Sequence, residues 1–358
     1  MIPKKRWMII LLVLLCAQTA CSLAASLPTY EDISKDAEYT VLHFPAAHFE
    51  DILWRNDGAL IAFQREEERP LRQPYALMGD DALRYLDLPQ ERECLVTHYR
   101  FPTPLPDGRL GLIKWCVKEN VFFDASYMVA YDWQTGQLEQ IVERPLKHFD
   151  IAQCFSWSPD MSRGVQTVSN GLVGTLNWLT PEGPEPVNIT LRDGDREWNL
   201  AQDYEENGST KGGTISCPSW SPKGDKIAVF VSFDAMGVEW IPRLDKQEVL
   251  VLIDPKTGKT ETVLRGMHSA QSMRWSPDGT KIGFTGYAET GAKDYQGNEQ
   301  YGLWVFDVTS QSLALISKDK YFEDLAWSPD SKRIAVIWCN RLDCSESEKR
   351  EIREYKLP

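Results

Sequence analysis

Internal repetition is the feature that most limits the folds open to this chain. Four segments place a tryptophan before a Ser-Pro turn, at 155–160, 219–224, 274–279 and 326–331. Two degenerate copies precede them, at 54–58 and 105–108. Aligned on the tryptophan position (54, 104, 157, 220, 275 and 327), successive copies lie 50, 53, 63, 55 and 52 residues apart. Periods of this length indicate an array in which each copy is one supersecondary unit.

The residues of the repeat predict two hairpins in each copy. In Ser-Pro-Asp-Gly, proline presets φ, aspartate bonds the local backbone and glycine takes the left-handed conformation, so a tight turn joins two strands. A second signature, Asp-x-x-Thr-Gly, occurs at 132–136 and 254–258, with a looser copy at 307–311. It links two further apolar runs, which gives four strands per copy. We therefore predict an all-β fold, a six-bladed β-propeller of four-stranded antiparallel blades.

These repeats resemble the TolB-type propeller repeat, a relative of the WD-repeat. The resemblance covers residues 37–358 and implies a single propeller domain there. Three positions depart from the pattern, with Lys223 in place of aspartate and Met161 and Ser331 in place of glycine. Because one fold carries many functions, the resemblance alone assigns none.

The two ends of the chain are predicted to close the ring. The last copy supplies three strands after Trp327, and the strand-like segment 38–44 precedes the first copy without a blade of its own. We expect this segment to be the fourth strand of the last blade, paired with the C-terminal strand. Such pairing removes exposed sheet edges.

The N-terminus predicts export. Lys4, Lys5 and Arg6 precede an apolar run at 8–15, and small residues lead to Cys21 in an order that resembles the lipobox of bacterial lipoproteins. We predict a signal peptide at 1–20, lipidation of Cys21 and a spacer at 21–36, which anchor the protein to the bacterial envelope. Ordinary cleavage after Ala24 or Ala25, or an uncleaved anchor at 7–25, are the alternatives.

The net charge of the chain limits the classes of partner that it can bind. A net charge of −13 argues against nucleic acid, which needs a basic surface. A monomer is expected.

Cys339 and Cys344, with four residues between them, are predicted to form a disulfide. Four other cysteines are expected either to form disulfides or to be buried thiols: Cys94, Cys116, Cys154 and Cys217.

The long connections are predicted to lie on one face of the ring, opposite the tight turns. They are 64–73, 117–125, 193–213, 233–246, 289–300 and 339–349. Loops on a rigid scaffold commonly carry binding, although they are also tolerated insertions. The predicted ligand contacts in them are Trp198, Tyr204, Trp240, Arg243, Tyr295 and Tyr301. For Trp240 and Tyr301 the alternative is a structural role, in pinning an insertion and in starting a strand.

Two functions follow from these patterns. The first is a non-catalytic scaffold, without a cofactor, that binds a protein, peptide or glycan of the envelope. The alternative is a metal-dependent lyase or lactonase acting on a carbohydrate acid, because oligogalacturonate lyases are propellers with similar repeats. The candidate ligands of a divalent metal precede the repeat positions: His48, His98, His148 and His268. Neither a GxSxG nor an HExxH motif occurs in the sequence.

Overall fold

The computed structural model describes most of the chain from residue 30 onward. The described residues are 30–42, 49–64, 76–79, 82–85, 88, 94, 96–118, 121–142, 155–169, 174–180, 183–193, 196–199, 214–232, 248–293, 299–318, 321–339 and 350–357. Within these ranges the regular elements are strands, so the predicted all-β class is confirmed. No helix in this part of the chain is long and apolar enough to cross a membrane.

The strands follow one another along the chain with short turns between many of them. They are β1 (Tyr30–Asp32), β2 (Tyr39–Leu42), β3 (Phe49–Trp54), β4 (Leu60–Gln64), β5 (Ala76–Gly79), β6 (Ala82–Tyr85), β7 (Val96–Pro104), β8 (Leu110–Lys118), β9 (Val121–Tyr131), β10 (Leu138–Gln140), β11 (Phe155–Trp157), β12 (Gly164–Ser169), β13 (Gly174–Thr180), β14 (Gly183–Pro186), β15 (Thr190–Asp193), β16 (Arg196–Asn199), β17 (Thr214–Ile215), β18 (Ser219–Trp220), β19 (Ile227–Ser232), β20 (Glu248–Ile253), β21 (Thr260–Trp275), β22 (Lys281–Lys293), β23 (Glu299–Asp307), β24 (Ser312–Ser317), β25 (Phe322–Trp327), β26 (Arg333–Cys339) and β27 (Arg350–Lys356).

The strands pair as small antiparallel sheets that match the repeats. The second and third repeats form sheets in the orders β10-β9-β8-β7 and β11-β12-β13-β14. The fourth and fifth are joined, because the long strand β21 pairs with β20 in its first part and with β22 in its second. The last sheet has the order β2-β27-β26-β25. In the first repeat β3 pairs with β4, and β5 pairs with β6.

The six tight turns have one backbone conformation. In each, the fourth residue after the aligned tryptophan position has positive φ: Gly58 (88°), Gly108 (86°), Met161 (57°), Gly224 (73°), Gly279 (67°) and Ser331 (59°). Met161 and Ser331 thus adopt the left-handed conformation without being glycine. Ser331 has a compensating contact, since its hydroxyl accepts a hydrogen bond from the backbone N–H of Asp278 in the preceding repeat at 3.1 Å.

The departure at Lys223 is compensated within its own turn. In three other turns the Ser-Pro serine donates to the aspartate two residues later, as Ser158 does to Asp160 at 2.7 Å. Ser221 donates instead to Asp225, also at 2.7 Å. A carboxylate two positions farther along therefore takes the same acceptor role.

Gly58→Ala is expected to lower the free energy of unfolding by about 1 kcal/mol, because a Cβ is unfavourable at positive φ. No atom of the described residues lies within 4 Å of the position that this Cβ would take, so backbone strain is the whole expected effect. Urea denaturation measures it, with Ala59→Gly as the neighbouring control. A variant as stable as the wild type would contradict the left-handed assignment.

Apolar cores lie between successive sheets. Six clusters of described residues each combine side chains from two neighbouring repeats, and the sixth joins the last repeat to the first. Representative pairs that share a cluster are Leu53 with Leu110, Ile113 with Trp157, Val165 with Trp220, Phe230 with Phe284, Val305 with Trp327, and Ala335 with Ile52. The buried apolar side chains of the described residues are therefore divided among six clusters between repeats rather than gathered in one core.

Polar contacts repeat the same neighbour relation. The Arg163 guanidinium lies 5.5 Å from the ring centre of Trp220 in the next repeat, and Arg333 of the last repeat lies 4.8 Å from that of Trp54 in the first. The last repeat therefore contacts the first through the same kind of arginine–tryptophan pair that joins the third repeat to the fourth.

The segment expected to complete the last sheet lies where it is predicted. Strand β2 pairs antiparallel with β27, with Tyr39 opposite Tyr355 and Leu42 opposite Ile352. The Arg353 guanidinium lies 4.9 Å from the Tyr39 ring centre, which adds a side-chain contact between the two ends. Residues 43 and 44 of the predicted strand lie outside the described residues.

Candidate binding cavity

One cavity lies where the six inner strands end. Its volume is about 450 Å³, and it is lined by residues of all six repeats. Each repeat contributes the end of its first strand and the position two residues after the aligned tryptophan: Asn56, Pro106, Pro159, Pro222, Pro277 and Pro329. We call the side of the molecule that carries these tight turns the turn face, and the opposite side the loop face. The cavity opens at the turn face.

The lining is mainly apolar, with serine, threonine and asparagine residues and one charged group. Five of its residues are the tryptophans Trp54, Trp157, Trp220, Trp275 and Trp327, and the last four of these are less than 10% exposed. Prolines at the mouth have no backbone N–H, so they offer a ligand apolar contacts without a hydrogen-bond donor. Among the described residues that line the cavity, Arg274 is the only one with an ionisable side chain. The lining therefore suits an apolar or aromatic group with an anionic or polar neighbour.

Arg274 is held by a buried carboxylate. Its Nη2 lies 3.6 Å from Oδ1 of Asp324, whose side chain is only 7% exposed. The other oxygen, Oδ2, accepts a hydrogen bond from the backbone N–H of Ile52 at 3.1 Å. Asp324 thus connects the fifth, sixth and first repeats, and both of its partners, Arg274 and Ile52, line the cavity. Burial raises the pKa of Asp324, and the nearby Arg274 charge and the backbone N–H groups act in the opposite direction.

Two aspartates of the turn face, Asp160 and Asp330, have lowered pKa values. The Ser158 hydroxyl and the Ser162 N–H and hydroxyl, which donate to Asp160, lower its pKa to about 2. The pKa of Asp330 is lowered in the same way, first by the Ser328 hydroxyl. Hydrogen bonds to the charged form cause both shifts.

Acid is expected to destabilise the protein through these turns. A folded pKa below the unfolded value of about 3.9 stabilises the fold above that pH, and this stabilisation is lost as the pH falls towards about 2 for Asp160. The free energy of unfolding should therefore decrease between pH 5 and about pH 2. The free energy of unfolding of the Asp160→Asn variant should decrease less steeply over the same pH range. Urea denaturation at several pH values measures both proteins. Equal slopes for the two proteins would contradict this assignment.

The loop-face ligand contacts are only partly within the described residues. Tyr301 lies in β23, where its ring packs edge-on against Tyr287 at 4.9 Å between ring centres and stacks on Phe322 at 6.3 Å. Burial raises its pKa, so Tyr301 has the surroundings of a packed side chain. The backbone of Trp198 lies in β16, which pairs with β15. Tyr204, Trp240, Arg243 and Tyr295 lie outside the described residues, and these contacts stay predictions.

Two of the predicted long connections are short between their strands. Strand β8 continues to Lys118 and β9 begins at Val121, while β22 extends to Lys293 and β23 begins at Glu299. The sequence predicts long connections at 117–125 and 289–300. Strand pairing beyond the core extends these hairpins.

The metal and cysteine predictions depend largely on residues outside the described ranges. His48 and His148 lie outside them, and only the backbones of His98 and His268 are described, in β7 and β21. The described residues contain no group of three or more histidine, cysteine or acidic side chains placed to hold a metal ion. Cys21 and Cys344 also lie outside the described ranges. Cys339 is buried at the end of β26, and its pairing with Cys344 stays a prediction.

Comparisons with known proteins give structural similarities alone. No family model and no curated protein matches the sequence. TolB from Acinetobacter baumannii is similar over 93% of this chain, at 11% identity and a TM-score of 0.48, and this chain covers 66% of it, just under two thirds. An oligogalacturonate lyase in complex with manganese is also similar, at 14% identity and a TM-score of 0.49. This similarity extends over 93% of this chain and 96% of the lyase chain.

The β-propeller domain of the Trilobed protease from Pyrococcus furiosus is also similar. The similarity extends over 83% of this chain and 80% of that domain, at 14% identity and a TM-score of 0.46. Since these TM-scores are all below 0.5, the fold assignment depends on the strand pairing and the inter-sheet cores of this chain.

Proposed function

We propose that this protein is an exported, membrane-anchored scaffold that binds a protein, peptide or glycan of the cell envelope in the cavity of the turn face. The observation that carries the proposal is the cavity itself, about 450 Å³ in volume and lined by residues of six repeats. Its volume lies within the range of about 300–1,000 Å³ that is usual for ligand sites.

The proposal includes a closed, six-bladed ring of the TolB-like type. Six inter-repeat clusters, including the one that joins Ile52 to Ala335, support this ring. Pairing of β2 with β27 supports its closure at the last blade. In a closed ring the rim of the cavity is fixed by neighbours on both sides, so the site is formed before a ligand arrives.

The chemistry of the cavity supports binding rather than a reaction. Its lining combines tryptophan and proline with the single guanidinium of Arg274, which Asp324 holds in place. Ligand sites are usually apolar clefts that contain a few polar groups to fix the orientation of the ligand, and Arg274 supplies such a group here. An extended segment with an apolar residue beside a carboxylate has the matching chemistry.

A bulky substitution at the mouth tests the binding site. Peptides selected from a random displayed library on the purified protein serve as the probe. Asn56→Trp is expected to weaken their binding at least tenfold, since Asn56 lines the mouth and is exposed. Lys223→Trp is the matched control, because it lies in the equivalent turn, one position beyond the lining residue Pro222.

Other outcomes of this experiment would contradict the cavity as the site. Binding that is unchanged by Asn56→Trp but lost in Trp198→Ala or Trp240→Ala variants would place the site on the loop face. Stoichiometric metal in the purified protein, lost on substitution of His98 and His268, would support the lyase instead.

Replacing Cys21 with serine tests the anchor. The wild-type protein is expected in the membrane fraction, and Cys21→Ser is expected in the soluble fraction, because a thioether-linked lipid cannot form. Fractionation followed by mass determination of the N-terminus measures both. Soluble wild-type protein that begins near Ala25 would show ordinary signal cleavage.

A further inference from the structure

We infer that the turn face, with its cavity, faces the membrane, and that its ligand is a short segment projecting from a membrane protein. The inference depends on the proposed N-terminal anchor. Its structural basis is the direction in which the first described strand, β1, lies on the fifth repeat.

Strand β1 fixes where the chain reaches the folded body. It pairs parallel with β24, with Tyr30 opposite Leu313 and Asp32 opposite Leu315. Strand β24 starts at Ser312, directly after the second tight turn of its repeat. In that turn the N–H of Val308 donates to the carbonyl oxygen of Thr280 at 2.9 Å, and Thr280 directly follows the Ser-Pro-Asp-Gly turn. Both turns therefore lie on the turn face, and Tyr30 lies at the end of β1 nearest to it.

Side-chain contacts hold β1 in this position. The Tyr30 ring packs edge-on against Trp304 at 5.5 Å between ring centres. The Lys318 ammonium group lies 2.5 Å from a carboxylate oxygen of Asp32. The N–H of Ile33 donates to the carbonyl oxygen of Leu315 at 3.1 Å, which continues the pairing beyond the strand. Residues 30–33 are consequently part of the folded body rather than a free linker.

The remaining chain limits the distance to the membrane. From Cys21 to Tyr30 there are nine residue steps, which span at most about 30 Å when fully extended. A lipid on Cys21 and an uncleaved anchor at 7–25 both limit this distance, because in either case a short segment connects the membrane to Tyr30. The chain enters at the turn face, so a short connection holds that face towards the bilayer.

The size of the cavity selects the occupant. The third residue after the aligned tryptophan position is exposed in all six turns, and it is aspartate in five: Asp57, Asp107, Asp160, Asp278 and Asp330, with Lys223 as the sixth. Basic side chains accompany these aspartates, as Arg55 does Asp57 and Arg109 does Asp107, so the described rim carries both signs of charge. Such a rim is not the basic cluster that anionic lipid headgroups attract. The cavity is too small for a folded domain and fits an extended segment of a few residues. A membrane protein segment that crosses the short gap fits this cavity.

Fluorescence quenching in vesicles tests the orientation. The anchored protein is reconstituted in neutral phosphatidylcholine vesicles that carry a nitroxide on the lipid headgroup. A fluorescent amino acid is placed at position 223 on the turn face, or at position 345 in the connection from β26 to β27. We expect quenching at 223 at least threefold stronger than at 345. A 30-residue Gly/Ser insertion after Ala25 should remove the difference while the protein stays anchored.

Each other outcome overturns a defined part of the account. Anchored protein with equal quenching at both positions, or with stronger quenching at 345, overturns the orientation alone. Wild-type protein recovered free of vesicles overturns the anchor together with the orientation. Binding of the Cys21→Ser protein to anionic vesicles would make the lipid surface the partner, which contradicts the inferred protein segment.

Discussion

Asp324→Ala is expected to lower the free energy of unfolding by about 3 kcal/mol, the low end of the range for breaking a buried ion pair. The substitution leaves the Arg274 guanidinium without its carboxylate and the N–H of Ile52 without its acceptor. The low end applies because Arg274 is 31% exposed and water reaches its charge. Urea denaturation of the full-length protein at pH 7 measures the change.

Two variants separate the contributions of charge and hydrogen bonding at this position. Asp324→Asn keeps an oxygen that can accept from Ile52, so it should lose less stability than Asp324→Ala. Combining Asp324→Asn with Arg274→Gln removes both charges and should recover part of the loss, since no partly buried charge is left without its partner. An Asp324→Ala protein as stable as the wild type would show that the contact does not join the repeats.

Deletion of residues 38–42 is expected to abolish the cooperative unfolding transition. The deletion removes β2, which exposes the edge of β27 and uncovers apolar side chains beside Ile52 and Ala335. An open sheet edge of this kind promotes association between chains. Differential scanning calorimetry and light scattering together measure the lost transition and the aggregation.

Deletion of residues 30–33 is the matched control. This removes β1, which adds to the outer edge of the fifth repeat but does not join the first and last sheets. Its melting should remain cooperative, with a modest decrease in Tm. Unchanged melting after deletion of residues 38–42 would contradict closure by the terminal strand.

The sequence predicts the turns well because their conformation is set locally. Proline, aspartate and glycine occur at fixed positions, and the structure has positive φ at all six equivalent positions. Alignment also places Met161 and Ser331 at these positions, although neither residue favours the conformation. Each lies at the tip of a hairpin, where the N–H of Met161 donates to the carbonyl oxygen of Ser158 and the N–H of Ser331 donates to that of Ser328, and the pairing of the two flanking strands favours this turn.

Two contacts between distant residues could not be predicted from the sequence. The three residues Tyr30–Asp32 are too few to give a strand pattern, so the sequence places them in a spacer, and their pairing with β24 is tertiary. Asp324 lies 272 residues from its partner Ile52, and nothing local to either residue indicates the contact. The cavity is equally hidden, because it depends on six strand ends converging.

A disulfide between the two chain ends tests ring closure most directly. Thr40 lies opposite Glu354 in the pairing of β2 with β27, so their Cα atoms have the separation of about 4.5–5.5 Å that a disulfide accepts. In Thr40→Cys/Glu354→Cys, mass spectrometry of non-reduced peptides should find the two cysteines linked nearly completely. Thr40→Cys/Lys356→Cys, a diagonal pair about 7–8 Å apart, should link poorly. Equal or absent linkage in the two proteins would contradict the closed ring on which the cavity depends.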